Sequence, residues 1–204
     1  MIIEKHKAIF IHIPKTAGIA LRIYFDKPTM DLVPDENGIL QHDTIKEIKE
    51  KFPLHKEYKK FSIVRNPYDR MVSWYFYLKQ SAINVGFDPE VVFPFNFIKW
   101  VEDPFKVSFT RWKLDTSDEN KKSIPYFQPQ HMWLDDTVTI LKYENLNKEL
   151  SKFFKEEINL PQHNKSNLKK EYFLNYYNKH ALGIVYERYK EDFEKFNYKR
   201  IEKI

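Results

Sequence analysis

The sequence predicts an α/β fold, with a central parallel sheet whose strands are joined by crossover helices. Two observations carry this. The nearly continuous apolar run Ala8-Ile9-Phe10-Ile11-His12-Ile13 leads through a turn into a helical pattern. Phe61-Ser62-Ile63-Val64 leads through Arg65-Asn66-Pro67 into another. Short apolar runs rich in β-branched and aromatic residues are buried strands of parallel sheets more often than helices. Strand–turn–helix units in series give parallel strands with helical crossovers.

Taken in order, the first strand spans residues 8–13 and ends at Pro14, which cannot donate to a ladder. Residues 16–25 place Ala17, Ala20, Leu21, Tyr24 and Phe25 at helical spacing. Residues 26–43 read as loop, with Pro28, Pro34 and Asn37-Gly38 as turn signals. Asp43 or Thr44 can cap a short helix over 45–51 that stops before Pro53. After the second strand, Asn66 supplies an N-cap and Pro67 the first helical position. That helix carries Tyr68, Met71, Val72, Tyr75 and Leu78 on one face. In residues 81–136, Pro89, Pro94, Pro104, Pro125 and Pro129 interrupt every pattern except a short helix over 95–101. The polar stretch 115–122 reads as an exposed loop. A third strand is expected over 137–141 and a helix over 146–154. Residues 161–167 read as loop. Leu182, Val185, Tyr186, Tyr189, Phe193 and Phe196 mark one or two closing helices. The chain thus reads as a single domain over 1–204, with 81–136 as an insertion.

Composition narrows the function classes. The 204 residues are 42% hydrophobic and 17% aromatic, enough for a packed core despite 31% charged residues. The net charge of +5 favours an anionic partner only mildly. No basic run interleaved with aromatics resembles a nucleic-acid platform, so no nucleic acid is expected. The chain has no cysteine, which excludes disulfides, cysteine nucleophiles and thiolate metal sites. No apolar stretch reads as a secretory signal or a membrane span. The expectation is a soluble, cytoplasmic protein of open oligomeric state.

Two constellations carry chemistry. In Ile11-His12-Ile13-Pro14-Lys15-Thr16-Ala17-Gly18, a strand ends where a helix opens, so several N–H groups point at one spot beside positive dipole charge. Lys15 adds a full charge, Thr16 a hydroxyl, and Gly18 allows close backbone approach. These are the parts of an anion cradle, although a plain turn with an exposed lysine has the same spacing. It is not GxxxxGK[ST], because Lys15 precedes the glycine. The second constellation is Arg65 at the carboxyl end of a strand, where open α/β sheets bind ligands, with Ser73 two helical turns on. An ion pair of Arg65 with Asp69 and an ordinary helical Ser73 are the competing readings. Together the two anion sites point to a nucleoside with phosphates at both ends.

Residues 10–18 resemble the 5′-phosphosulfate loop of the sulfotransferase family, in its carbohydrate (Golgi-type) branch with the heparan sulfate O-sulfotransferases. Residues 62–75 resemble that family's 3′-phosphate motif, in the same order and at a similar distance. Leu141-Lys142-Tyr143-Glu144-Asn145-Leu146 and residues 186–193 are similar as well, so the likeness spans most of the chain outside its middle. It implies a P-loop-like, three-layer fold and a soluble member of bacterial or viral type. The implied donor is 3′-phosphoadenosine 5′-phosphosulfate, leaving adenosine 3′,5′-bisphosphate, with no metal. Lys15 and the backbone of Thr16, Ala17, Gly18, Ile19 and Ala20 would hold the phosphosulfate. Arg65 and Ser73 would hold the 3′-phosphate, and a polar loop with Lys165 and Ser166 would close over the nucleotide. The family loop continues Gly-Thr-Ser where this chain has Gly18-Ile19-Ala20, so two hydroxyl donors are missing.

Sulfuryl transfer to a carbohydrate hydroxyl needs a base, a cation for the leaving phosphate and positioning. Lys15 is the candidate cation. His42, in Gln41-His42-Asp43, is the candidate base, because imidazole titrates near neutrality and the resembled enzymes place a catalytic histidine in a comparable region. Asp43 can orient it. His12 reads as structural or supporting, His131 as a substrate-side candidate, and Asp35 and Glu36 as weaker bases. Two other readings stay open. One is a non-catalytic nucleotide- or glycan-binding protein on this scaffold, favoured by Ile19 and Ala20. The other is a P-loop kinase, which would need a differently placed lysine and carboxylates for magnesium.

Overall fold

A computed structural model describes residues 1–27, 35, 37–84, 86–88, 90, 96–102, 127–160 and 172–203. The chain divides into two compact units, Met1–Arg65 with Gln130–Ser166, and Asn66–Pro129 with Asn167–Ile204.

The first unit holds the sheet: β1 (Ile2–Ile3), β2 (Ala8–Ile11), β3 (Lys59–Val64) and β4 (Thr139–Lys142), in that spatial order. β1 is antiparallel to β2, whereas β2, β3 and β4 are mutually parallel, with Phe10 beside Phe61 and Phe61 beside Thr139. The expected α/β class is therefore found. Every residue of β2 is buried, as is Phe61 through Val64 of β3, which is why these strands lack polar alternation. The core joins Ala8, Phe10, Phe61, Ile63 and Leu141 to Leu21, Leu150 and Ile158. The first strand stops at Ile11, two residues earlier than its hydrophobicity indicates. His12 and Ile13 are still buried, so the apolar run marks burial and not ladder pairing.

The crossover from β2 to β3 contains α1 (Gly18–Tyr24) and α2 (Ile45–Lys51). α2 begins at the expected cap. The Thr44 hydroxyl accepts the Glu47 N–H at 3.3 Å, and the Glu47 carboxylate accepts the Thr44 N–H at 2.7 Å. This reciprocal box satisfies donors that a helix start leaves orphaned. Thr44→Ala is expected to destabilise the chain by about 1 kcal/mol, read by urea denaturation. After β4, α5 (Leu146–Phe154) contributes Leu150 to the same core.

The second unit is helical among its described residues: α3 (Pro67–Asn84), α4 (Phe97–Glu102), α6 (Lys179–Arg188) and α7 (Lys190–Lys195). α3 starts as its sequence dictates. The Asn66 carbonyl accepts the Arg70 N–H at 2.8 Å, its side chain accepts the Tyr68 N–H at 3.0 Å, and Pro67 holds the first position. Tyr68, Met71, Trp74, Tyr75 and Leu78 pack with Trp100, Val101, Leu182, Val185, Tyr189 and Phe193. Two buried hydroxyls are tied off: Tyr177 donates to the Tyr68 carbonyl at 2.8 Å, and Tyr189 to that of Phe127 at 2.6 Å. Residues 115–122 and 161–167 lie outside the described residues. No helix among the described residues is long and apolar enough to cross a membrane.

Candidate functional site

Three segments leave the carboxyl ends of the parallel strands of the first unit. They are the loop after β2, Arg65 after β3 and Tyr143 after β4. This is the edge at which open α/β sheets bind ligands.

The loop owes its shape to two residues with left-handed backbone, Lys15 at φ 67° and Ala17 at φ 69°. Neither is glycine, so each carries a steric cost of about 1–2 kcal/mol. Strain of this kind persists where surroundings impose it. Here the buried Thr16, between the two, donates its hydroxyl to the Ile13 carbonyl at 2.7 Å and so closes the turn. That hydroxyl was expected to serve a phosphate; in this structure it serves the loop. The same turn delays α1, which starts at Gly18 and not at Thr16 as the apolar spacing suggests. The first intrahelical bond runs from the Leu21 N–H to the Ala17 carbonyl at 3.2 Å, so the N–H groups of Gly18, Ile19 and Ala20 have no intrahelical acceptor. α1 has only seven residues, so its dipole is short. The left-handed Ala17 followed by the helical Gly18 forms the kind of concave backbone nest that holds anions, with Lys15 beside it as a charge.

Gly18 is required for a second reason. A Cβ built there would stand 1.8 Å from His12 Nε2 and 1.9 Å from its Cδ2. The His12 ring lies against the glycine, stacks on Phe10 with centroids 5.4 Å apart, and sits 4.4 Å from the His42 ring. His12 thereby joins the loop to the candidate base. Its Nδ1 is buried and has no hydrogen-bond partner among the described residues. Burial first, then the neighbouring His42, Arg22 and other cationic groups, hold His12 well below the ordinary imidazole range. The folded chain keeps it neutral, while the unfolded chain binds a proton below about pH 6.5. The unfolded state therefore takes up more protons in acid, and stability falls as pH drops from 6.5 towards the depressed folded value. The slope contributed reaches about 1.4 kcal/mol per pH unit. In denaturation series between pH 7 and 5, His12→Gln is expected to show a shallower acid loss than the unsubstituted chain; coincident slopes would refute this.

His42 is half-buried. Its Nδ1 lies 2.8 Å from the His12 carbonyl oxygen, which can only accept, so Nδ1 carries the proton and the lone pair of neutral His42 is on Nε2. The Gln41 amide nitrogen stands 3.4 Å from that Nε2. Trp133 Nε1 donates to the His42 carbonyl at 3.3 Å and holds the backbone. Asp43, expected to orient the imidazole, instead accepts from Lys51 Nζ at 2.6 Å and from the Leu40 N–H at 2.7 Å.

Arg65 is brought to the loop. One guanidinium nitrogen donates to the Lys15 carbonyl at 3.2 Å, and the group lies over the Tyr143 ring at 4.3 Å from its centroid. The residue's own N–H and carbonyl are both bonded to the side chain of Gln130. Lys15, Thr16, Ala17, Gly18, Ile19, Ala20, His42 and Arg65 thus share the first unit, while Ser73 lies half-buried on α3 of the second. Lys165, Ser166 and Glu36 lie outside the described residues. Ile19 is 40% exposed, and its side chain carries no hydrogen-bond donor. Sequence reasoning passed over Gln130, Tyr143 and the buried Arg22 as members of this site. Arg22 follows Gly18 by one helical turn and adds positive charge near His12, a spacing that was readable in advance. Among the described residues, no group of three or more His, Asp or Glu side chains is placed to hold a metal ion.

The chain matches no curated protein and no solved structure. It does match a family model, the sulfotransferase family, over residues 1–199. A match over nearly the whole chain, added to the loop, the arginine and the histidine at one sheet edge, means that this protein belongs to the sulfotransferase family.

Proposed function

We propose that the protein transfers a sulfuryl group from 3′-phosphoadenosine 5′-phosphosulfate to a hydroxyl of a carbohydrate acceptor. The observation that carries this is the grouping of Lys15, Arg65 and the unprotonated Nε2 of His42 at one strand edge. The donor supplies the activated sulfuryl group and a phosphate leaving group. Lys15 and the N–H groups of residues 16–20 bind its 5′ end, and the ammonium neutralises charge that gathers on the leaving phosphate. Arg65 takes the 3′-phosphate, and Ser73, on the helix that follows it in the chain, adds a hydroxyl. His42 Nε2 takes the proton of the acceptor hydroxyl. The resulting imidazolium is stabilised by its Nδ1–H bond to the His12 carbonyl. This chemistry asks nothing of a metal, because Lys15 neutralises the leaving phosphate.

The whole chain acts as one sulfotransferase domain in this reading, with residues 81–136 shaping the acceptor side and residues 165 and 166 near the nucleotide. It works as a soluble, cytoplasmic enzyme. Adenosine 3′,5′-bisphosphate is expected to raise the melting temperature more than ATP with magnesium does; preferential stabilisation by ATP would overturn the reading. Ile19 and Ala20, where the resembled loop has hydroxyls, favour a second reading in which the nucleotide binds but no group is transferred. Transfer of labelled sulfate to a panel of oligosaccharides decides between them.

A further inference from the structure

We propose that Gln130 is a positioning residue for the 3′-phosphate, acting through the main chain of Arg65. The inference rests on the reading of Arg65 as a 3′-phosphate ligand and goes beyond it, because Gln130 needs no contact with the nucleotide.

β3 ends at Val64, whose register partner on β4 is Lys142. Arg65 is the first residue beyond the ladder, so the sheet no longer fixes its backbone. The Gln130 carboxamide takes over that task. Its Oε1 accepts the Arg65 N–H at 2.9 Å, and its Nε2 donates to the Arg65 carbonyl at 2.9 Å. A side-chain amide here replaces a neighbouring strand for one residue. Gln130 is fully buried, so both bonds form away from competing water and neither end can be given up cheaply. It lies at the start of a 3-10 turn, Gln130–Trp133, whose Trp133 holds the carbonyl of His42. One short turn therefore secures the backbone beneath both the arginine and the histidine.

The guanidinium is fixed at its far end as well. The Tyr143 ring lies 4.3 Å below it, and the Lys15 carbonyl accepts one of its nitrogens at 3.2 Å. A guanidinium held by its backbone, a ring face and one carbonyl loses little further freedom when it meets a phosphate. Releasing the backbone clamp lets the whole residue drift, and a displacement of 1 Å at a positioned group is costly.

The test measures affinity by calorimetry for adenosine 3′,5′-bisphosphate and for adenosine 5′-monophosphate, which lacks the 3′-phosphate. Gln130→Met keeps the side chain's bulk and removes both bonds. It is expected to weaken the bisphosphate by roughly tenfold and leave the monophosphate nearly unchanged. Gln130→Asn keeps the amide but shortens its reach, and is expected to give the same selective loss if the Met variant does not fold. Equal losses for both nucleotides, or no loss for either, overturn the proposal by showing a general structural role or none. Arg65→Ala serves as the reference. If it does not lower the ratio of the two affinities, the 3′-phosphate reading of Arg65 fails, and the role of Gln130 fails with it.

Discussion

Gly18→Ala is expected to lower stability by about 3 kcal/mol, at the upper end of what overpacking a core costs. The added methyl would fall 1.8 to 2.4 Å from three atoms of the His12 ring. That ring is 3% exposed and stacks on the fully buried Phe10, so it has little room to retreat. For a chain of this length the loss corresponds to roughly 6–12 °C in melting temperature. His12→Ala made together with Gly18→Ala removes the obstacle. The double variant is therefore expected to be more stable than Gly18→Ala alone, a sign of direct coupling. A Gly18→Ala protein that melts within a degree or two of the parent would show that the loop can shift, and would refute the close packing argued here.

His42→Ala is expected to lower kcat by about 10²–10⁴-fold while leaving affinity for adenosine 3′,5′-bisphosphate within a small factor of the parent. The separation follows from geometry. His42 offers its Nε2 to an acceptor, and its contacts with the loop include the His12 carbonyl and ring. Lys15→Ala should behave in the opposite sense, with loss of nucleotide binding itself, because it removes the cation of the loop. Single-turnover measurements with saturating donor separate the two. Full activity in His42→Ala would end its assignment as the base, and intact binding in Lys15→Ala would end the assignment of the loop.

Much of this was legible in the residues because it is local. Thr44 with Glu47, and Asn66 with Pro67, announce helix starts by chemistry that acts within four residues, and both helices begin there. The apolar face of α3 follows from spacing alone. The likeness of residues 10–18 and 62–75 to one family pointed to the same assignment as the family match over residues 1–199. Where local reading erred, a nearby competitor had won. The first strand stops before its hydrophobicity does, because burial of His12 and Ile13 needs no ladder. α1 starts late because the Thr16 hydroxyl closes a turn back to Ile13.

The amino-acid sequence by itself thus located the three parallel strands and the starts of α2 and α3, and it offered the loop at Lys15 and the base at His42 as candidates. Only the tertiary structure decided what holds them. It placed the Gln130 amide on the backbone of Arg65, 65 residues away, and the ring of Tyr143 beneath its guanidinium. It set the His12 ring against Gly18 and chose the nitrogen of His42 that carries the proton. It also turned Asp43 away from that histidine and towards Lys51. The physical reason is common to all of these. Periodicity and capping are properties of neighbouring residues, whereas a side-chain amide closing on a distant main chain, or a ring filling the space over a glycine, has no period and appears only when the strands are laid side by side.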